Sequence, residues 1–286
     1  MPSQEKILAL PSIKETLKIN NISADKKLGQ NFLLDQNLIN KIIKSSGDLK
    51  GKTVLEVGPG PGGMTRALLY AGAYVTVIEK DRRFIKILQE LKTICNGRLN
   101  IIEADALEIK EEELFKNLDP IKIIANLPYN IATGLLIKWL NKISLFESMI
   151  LMFQKEVAER IVAKPKTKSY GRISIFSQWL CEIDLQFNIK PEAFFPPPKV
   201  ISSVITLLPR KEPLAKANRV VLEKICKTTF GQRRKTLKSS LKQITTNPET
   251  ALQAAYIEPS RRPEELSVEE FCTLSRAFEY WYLEKS

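Results

Sequence analysis

Short runs rich in apolar residues recur along the first half of the chain. They occupy residues 53–57, 74–78, 99–103, 121–125 and 148–153. Runs of this length predict buried strands, and the helical spacing of residues 64–71 and 155–163 predicts helices beside them. Strands that alternate with helices are typical of an α/β domain built on a parallel sheet.

The segments on either side of these strands are predicted to be helical. Residues 12–45 show two helical pieces joined by a polar, basic loop at 24–33, and residues 211–242 show two more around residues 231–235. Residues 260–266 are predicted to begin the last helix. We therefore expect an N-terminal extension at 1–23, an α/β domain at 24–209 and a smaller all-helical domain at 210–286, with the boundary at the prolines of residues 209–213.

The composition excludes several kinds of site. The chain of 286 residues has no histidine, which removes His-dependent nucleophilic sites and His-ligated metals. Its four cysteines are far apart in sequence and predict buried thiols rather than a disulfide frame or a zinc site. No run of 18 apolar residues and no apolar leader is present, so we expect a cytoplasmic protein that does not enter a membrane.

The charge of the chain indicates a polyanionic partner. Forty-four Lys and Arg residues stand against 32 Asp and Glu residues, a net charge of +12. Residues 211–242 alone hold ten basic and two acidic residues. Such clusters favour nucleic acid first and an anionic membrane second, although basic surfaces in general also serve solubility.

A glycine-rich loop follows the first predicted strand. Residues 58–63 read Gly-Pro-Gly-Pro-Gly-Gly and precede a helix, which is the context of a nucleoside-binding fingerprint. Glu79 ends the second strand, 21 positions after Gly58, where such folds place a carboxylate for ribose hydroxyls. Asp105 follows the third strand and could accept a hydrogen bond from an adenine amine. A structural turn and surface acids are the alternative interpretation.

The charges around the glycine loop indicate which ligand it binds. The glycine loop contains no lysine and no phosphate-binding Gly-Lys-Ser/Thr motif, so a nucleoside triphosphate fits poorly. S-adenosylmethionine has a ribose, an adenine and a sulfonium but no phosphate. It fits two carboxylates and a glycine turn.

The fourth strand ends in Asn126-Leu127-Pro128-Tyr129. Pro128 lacks an amide hydrogen and keeps Leu127 out of helical geometry, which leaves main-chain carbonyls available at the end of the strand. The Asn126 side chain adds an acceptor and Tyr129 adds a stacking face. These groups suit a planar base with an exocyclic amine, held out of its stack. A strand-end turn in which Asn126 caps and Tyr129 packs is the alternative.

These motifs together resemble the ribosomal RNA adenine dimethyltransferase family. The resemblance covers residue 24 to the C-terminus and rests on residues 28–33, 56–62, 126–130, 154–160, 193–200 and 230–237. One departure is visible, because Ile201 stands where the family usually has an aspartate. The resemblance implies a Rossmann-like class I S-adenosylmethionine-dependent methyltransferase sheet with a helical C-terminal domain.

The resemblance also implies roles for individual residues. The implied cofactor contacts are Asn31, Leu33, Gly58, Glu79, Asp105 and Asn126. The implied catalytic set is Asn126, Leu127, Pro128, Tyr129 and Phe194, with Phe194 as a second aromatic wall for the base. The predicted RNA contacts are Arg233, Arg234, Lys235 and Lys238. No metal is expected.

We therefore expect an enzyme that dimethylates two adjacent adenosines near the 3′ end of small-subunit ribosomal RNA during ribosome assembly. We expect it to act as a monomer on ribosomal RNA within an assembling small subunit. The alternatives are a large-subunit ribosomal RNA adenine methyltransferase of the antibiotic-resistance type and a non-catalytic RNA-binding assembly factor.

Overall fold

The computed structural model describes residues 3–282 of the chain. Its strands are β1 (Phe32–Leu33), β2 (Thr53–Val57), β3 (Tyr74–Glu79), β4 (Leu99–Glu103), β5 (Ile121–Asn126), β6 (Phe146–Gln154), β7 (Cys181–Ile189), β8 (Phe194–Phe195) and β9 (Ser202–Pro209). Its α-helices are α1 (Ser3–Leu8), α2 (Ile13–Ile19), α3 (Gln36–Ser45), α4 (Gly63–Tyr70), α5 (Arg82–Thr93), α6 (Glu111–Leu114), α7 (Tyr129–Leu140), α8 (Lys155–Ile161), α9 (Arg172–Leu180), α10 (Arg219–Gly231), α11 (Leu237–Leu241), α12 (Pro248–Ala254) and α13 (Val268–Tyr282).

The main sheet has the strand order β4-β3-β2-β5-β6-β9-β7. Strands β2 to β6 pair in parallel, and β9 pairs antiparallel to β6. The five predicted strands are the parallel ones, whereas β7 and β9 were not predicted. The strand order reverses between β2 and β5, and open α/β sheets bind ligands in the crevice at such a reversal.

The central strands are buried because helices cover both faces of a parallel sheet. In β2 every residue after Thr53 is buried, and β5 is buried from Ile121 to Ala125. Helix α5 packs one face, with Phe84, Ile87, Leu88 and Leu91 all buried. This packing fixes the ends of the strands, and the residues that follow them, at one edge of the sheet.

The chain divides into two compact units. Of the described residues, the first comprises 3–158 and 184–209, and the second comprises 159–183 and 210–282. The chain passes from the first unit to the second after residue 158 and again after residue 209, so residues 159–183 belong to the second unit. Residues 1–2 and 283–286 of the expected domains lie outside the described residues.

The N-terminal segment is part of the first unit. Ile7, Ile13 and Leu17 from α1 and α2 are buried in the same apolar cluster as the strands. Ser12 begins α2 with a capping box, in which its hydroxyl accepts from the Glu15 amide and the Glu15 carboxylate accepts from the Ser12 amide. Residues 3–23 therefore contribute to the core of this unit.

The last helix begins later than predicted. Residues 263–265 form a short 3₁₀ turn, and α13 starts at Val268. The Ser267 hydroxyl accepts from the Glu270 amide, and the Glu270 carboxylate accepts from the Ser267 amide. The prediction that residues 260–266 begin this helix is wrong because this reciprocal cap sets the start after Ser267.

All four cysteines are buried free thiols, as the sequence predicts. Burial raises the pKa of Cys181 and of Cys272 to about 12, and it also raises the pKa of Cys95 and Cys226. Among residues 3–282, no helix has both the length and the apolar character needed to cross a membrane.

Candidate active site

A cavity of about 310 Å³ opens at the carboxyl ends of the parallel strands. Gly58, Glu79, Asp105 and Asn126, which follow or end four of these strands, all line it. Their meeting at one edge follows from the parallel pairing of β2 to β5. The volume is within the range of small-molecule sites, roughly 300–1,000 Å³.

The glycine loop lies close against its neighbours. A Cβ on Gly60 would lie 2.9 Å from the Phe32 ring, and one on Gly58 would lie 3.3 Å from Pro128. Both glycines have a positive φ, +53° and +68°, which side chains rarely adopt. A side chain at either position would therefore be strained and would press on Phe32 or Pro128, two other residues of the cavity lining.

Glu79 is held by the glycine loop itself. Its carboxylate accepts from the Gly60 amide at 3.0 Å and from the Asp81 amide at 2.8 Å. Burial raises the pKa of this carboxyl, and the two amide hydrogen bonds oppose that shift. A carboxylate has about four acceptor positions, so positions remain for ligand hydroxyls.

Glu56 is a second buried carboxyl in the cavity lining. The Thr65 hydroxyl donates to it at 2.7 Å. Burial raises its pKa to about 8, against the lowering effect of the Thr65 hydrogen bond, and the charge of Glu79 raises it further. Glu56 thus keeps its proton between about pH 4.5 and pH 8, where an ordinary glutamate is charged.

Asp105 is fixed by a lysine and by its own loop. Its carboxylate pairs with Lys80 at 2.7 Å and accepts from the Leu107 amide at 2.9 Å. These contacts lower the pKa of Asp105, with the Lys80 hydrogen bond as the main cause. Asp105 is therefore ionised at neutral pH, with acceptor positions left for a donor such as an adenine amine.

A buried cluster behind this loop holds it in place. The Lys138 ammonium donates to the Ala106 carbonyl at 2.8 Å and to Glu111 at 2.9 Å. Glu111 is buried and also accepts from the Trp139 indole at 2.8 Å. Because Ala106 lines the cavity beside Asp105, this cluster positions the wall that carries Asp105.

The loop at residues 24–33 closes the cavity from another side. The Asn126 side-chain amide donates to the Asn31 carbonyl at 3.0 Å, so the Asn126 side-chain oxygen remains as an acceptor. Gln30 donates to Asp81 at 2.8 Å and ties the loop to the end of β3. Asn31 and Leu33, which the resemblance assigns to the cofactor, both line the cavity.

Tyr129 begins α7 directly after Pro128. Its hydroxyl lies 2.5 Å from the Ser202 hydroxyl. Burial raises the pKa of Tyr129. Within the described chain the Leu127 carbonyl accepts no main-chain hydrogen bond, and Leu127, Pro128 and Tyr129 all line the cavity.

Phe194 has a different position from the other predicted catalytic residues. It is 3% exposed, belongs to the apolar core and pairs with Leu33 across the short β1–β8 ribbon. It is not among the residues that line the cavity. Its role as a second aromatic wall stays a prediction, and in this conformation Phe194 is a core residue.

The four predicted RNA contacts divide into two pairs. Arg233 pairs with Glu264 at 2.5 Å and donates to the Thr167 carbonyl at 3.0 Å, and Lys238 pairs with Glu249. Arg234 and Lys235 are exposed. The exposed pair is therefore better placed for phosphate than the two residues already engaged with acids.

Sequence reasoning missed several residues of the cavity and its surroundings. Glu56 had a signal, because an acid inside an apolar strand is uncommon unless it is partnered or protonated. Gln30 and Lys138 had none, since their partners lie 51 and 32 residues away in sequence. Only the fold brings them to the site.

The sequence of the chain is similar to those of known proteins. A sequence model of the family described as "Ribosomal RNA adenine dimethylase" matches residues 21–279. The chain is 48% identical to the ribosomal RNA small subunit methyltransferase A of Rhodospirillum rubrum, over 94% of this chain and 92% of that protein. It is 49% identical to the protein of the same name from Dinoroseobacter shibae, over 93% and 96%.

Solved structures show the same fold. A dimethyladenosine transferase from Plasmodium falciparum superposes with a TM-score of 0.73 at 25% identity, covering 86% of this chain and 96% of that one. The 23S rRNA methyltransferase ErmE superposes with a TM-score of 0.65 at 24% identity, covering 87% and 100%, and shows the fold alone. The chain belongs to the ribosomal RNA adenine dimethylase family, whose members are S-adenosylmethionine-dependent methyltransferases with a class I sheet.

Proposed function

We propose that this protein transfers methyl groups from S-adenosylmethionine to the exocyclic amines of two adjacent adenosines near the 3′ end of small-subunit ribosomal RNA. The observation that carries the proposal is the pair of acceptors at the end of β5. The Asn126 side-chain oxygen and the Leu127 carbonyl belong to residues that line one cavity with Gly58 and Glu79. The relatives named as small subunit methyltransferases support the choice of substrate.

The residues present fit S-adenosylmethionine. Gly58 and Gly60 contribute main chain to the cavity lining, and a Cβ at either position would press on Pro128 or Phe32, which also line it. Glu79 keeps acceptor positions for the ribose hydroxyls, and Asp105 keeps one for the adenine amine. Asn31 and Leu33 complete the lining on the side of the 24–33 loop. When bound, the cofactor supplies an electrophilic methyl group on a sulfonium sulfur.

The chain's own residues act on the target amine by position. Asn126 and the Leu127 carbonyl accept the two amine hydrogens, which favours a pyramidal nitrogen with its lone pair towards the methyl group. The nitrogen–carbon bond forms as the sulfur–carbon bond breaks, and the amine then releases one proton to solvent. Orientation and electrostatics are the main contributions, and no histidine is required.

Tyr129 supplies a stacking face for the flipped adenine. Base–aromatic stacking is worth about 1–3 kcal/mol, which offsets much of the few kcal/mol needed to unstack a base. Since Phe194 is buried in the core, its use as a second wall requires residues 194–195 to change position. A second methylation requires the monomethylated amine to return with its remaining hydrogen at one of the two acceptors.

The helical second unit supplies affinity for RNA in this proposal. Its exposed Arg234 and Lys235 suit phosphate contacts, which orient RNA without choosing a base. The proposed substrate is ribosomal RNA within an assembling small subunit. In this proposal the protein binds it as a monomer in the cytoplasm, and no metal takes part in the reaction.

Methyl transfer to purified ribosomal subunits tests the function. Tritium from labelled S-adenosylmethionine should enter immature small subunits of methylase-deficient cells, and primer extension should stop at two adjacent adenosines near the 3′ end. Label in the large subunit would support the antibiotic-resistance type of enzyme instead. An absence of label in both would leave the non-catalytic assembly factor.

The variant Asn126→Ala separates catalysis from binding. It should lose methyl transfer and retain RNA binding, because Asn126 is an acceptor for the target amine rather than a phosphate contact. An equal loss of binding and transfer would mean that Asn126 acts only by holding the 24–33 loop through Asn31.

A further inference from the structure

A turn in the second unit presents three lysines to solvent. Lys164, Lys166 and Lys168 are all exposed, at alternate positions of the segment 164–168, which we call the lysine loop. None of them lines the cavity. The loop falls within the second unit, together with the basic helices.

The lysine loop is held in place by hydrogen bonds and by a buried tyrosine. The Thr167 hydroxyl donates to the Lys164 carbonyl at 2.7 Å, and the Tyr170 amide donates to the Thr167 carbonyl at 3.2 Å. Tyr170 is fully buried and packs edge-on against Phe230, with ring centroids 6.2 Å apart. The loop is thereby anchored to the core of its unit.

Glu264 and Arg233 clamp this loop to the exposed pair Arg234 and Lys235. The Lys166 amide donates to the Glu264 carbonyl at 2.7 Å, and Arg233 bonds both to the Glu264 carboxylate and to the Thr167 carbonyl. Arg233 is thus the link between the two segments. Arg234 and Lys235 follow Arg233 directly in the chain.

Two of the acidic side chains near the loop are paired with arginines. Glu264 pairs with Arg233, and Glu270 pairs with Arg261. Because these two acids are paired with arginines, the three lysines of the loop add positive charge to this surface of the unit. Lysine is a compact, mobile cation that contacts phosphate as a point charge.

The backbone of Lys166 shows that a lysine is an unexpected choice here. Its φ is +68°, and Pro165 precedes it, so residues 164–167 have the features of a type II turn with Lys166 at the third position. That position favours glycine or asparagine. A lysine there gives the turn no local advantage, which points to a use for its ammonium group.

We propose that the lysine loop, with Arg234 and Lys235, forms a surface that binds the phosphate backbone of helical RNA. The inference rests on the proposed function, because it takes ribosomal RNA as the partner. The ammonium groups of the loop contact phosphate oxygens as point charges and have no planar face to stack on a base, so the lysines recognise the shape and charge of an RNA helix rather than its sequence. It adds orientation and affinity to the methyl-transfer site.

The test compares two variants of equal charge. The loop variant carries Lys164→Gln, Lys166→Asn and Lys168→Gln. The control carries Lys44→Gln, Lys86→Gln and Lys92→Gln, which removes three exposed lysines from α3 and α5 of the first unit. Binding of each variant to immature small subunits and to an RNA duplex of about 16 base pairs, the span that a double-stranded RNA-binding module covers, is measured over a range of salt concentrations.

The loop variant should bind both RNAs more weakly, and its slope of log K against log salt should fall by about two to three, roughly one for each phosphate that the variant no longer neutralises. The control should keep the wild-type slope. A wild-type slope in the loop variant overturns the inference, and so does an equal fall in the control. The loop variant itself should unfold at about the wild-type temperature, because all three lysines are exposed and asparagine suits the left-handed backbone of residue 166, and this result excludes misfolding as the cause of weaker binding.

Methyl transfer by the wild-type protein is measured in the same preparation. If the wild type transfers methyl groups while the loop variant binds like the wild type, only the inference about the lysine loop fails. If the wild type transfers none while the loop variant still binds RNA more weakly, the proposed function fails and the RNA surface stands.

Discussion

The ammonium group of Lys138 lies 2.8 Å from the carbonyl oxygen of Ala106, a residue in the lining of the cavity at the sheet edge. Lys138 comes from α7, and Ala106 lies in the loop after β4. The buried carboxylate of Glu111 keeps the ammonium in place. The geometry of the cavity wall that carries Asp105 therefore depends on a side chain that does not itself line the cavity.

Removing this hydrogen bond should weaken cofactor binding. The double variant Glu111→Gln/Lys138→Met removes both charges, so that neither is left buried alone. A hydrogen bond to a charged group is worth about 1.5–3 kcal/mol, so its loss should weaken binding of S-adenosylmethionine by roughly ten- to hundred-fold. Calorimetry measures the change.

The neighbouring surface pair is the control for this variant. Lys142 and Glu112 lie 3.3 Å apart, are both partly exposed and do not line the cavity. The variant Glu112→Gln/Lys142→Met should bind the cofactor like the wild type. Equal weakening in both variants would mean a general loss of stability rather than a positioning role.

Two glycine substitutions should have opposite effects. Gly60→Ala places a Cβ 2.9 Å from the Phe32 ring at a φ of +53°, so it should lower both the stability and the affinity for S-adenosylmethionine. The left-handed backbone alone costs about 1–2 kcal/mol. Gly231→Ala meets no atom within 4 Å and should leave stability unchanged or raise it by about 0.4–1 kcal/mol. Urea unfolding measures both, and a neutral Gly60→Ala would contradict the close approach of the loop.

Glu56 should make the protein less stable as the pH rises. Its pKa is about 8 in the folded state against an ordinary value of 4.5, so between these pH values the unfolded chain releases a proton that the folded chain keeps. The free energy of unfolding then falls by up to about 1.4 kcal/mol per pH unit in this window. Glu56→Gln should remove this part of the slope, as measured by urea unfolding between about pH 5 and pH 8.

A carboxyl with the opposite shift is the control for Glu56. The pKa of Glu147 is lowered, since hydrogen bonds from Lys52 and Lys122 outweigh the effect of burial. Glu147 is therefore ionised in both the folded and the unfolded state above about pH 5, and Glu147→Gln should leave the slope above that pH unchanged. An unchanged slope in Glu56→Gln would show that Glu56 ionises normally.

Tyr129 should act through its ring rather than its hydroxyl. Burial raises the pKa of Tyr129, so the hydroxyl stays neutral through physiological pH. Tyr129→Phe keeps the stacking face and removes only the hydroxyl that meets Ser202, so it should retain most methyl transfer. Tyr129→Ala should lose about 1–3 kcal/mol of base stacking, or roughly five- to 150-fold in kcat/KM. Similar activities for the two variants would argue against stacking.

The edge of the sheet that carries the cavity was predictable because its signals are local. Gly58, Glu79, Asp105 and Asn126 each end or follow a strand, and parallel pairing alone brings them together. The hydrogen-bond partners of these side chains were not predictable from local signals. The bond from Asn126 to the Asn31 carbonyl joins residues 95 positions apart, and no pattern in the chain predicts it.

Burial and ion pairing limited the other predictions. Phe194 belongs to a motif that implies a stacking wall, yet its pairing with Leu33 places it in the core. Arg233 carries the same charge as Arg234, but only the fold shows that it is paired with Glu264. A motif identifies which residues matter, and three-dimensional contacts decide which of them are available.

The buried thiols make this protein convenient for site-specific chemistry. Alkylating reagents attack the thiolate, and all four native cysteines are buried with a raised pKa. A maleimide dye at neutral pH should therefore label Lys166→Cys far faster than the native sulfur atoms. The lysine loop can thus carry a single fluorescent reporter without removal of any natural cysteine.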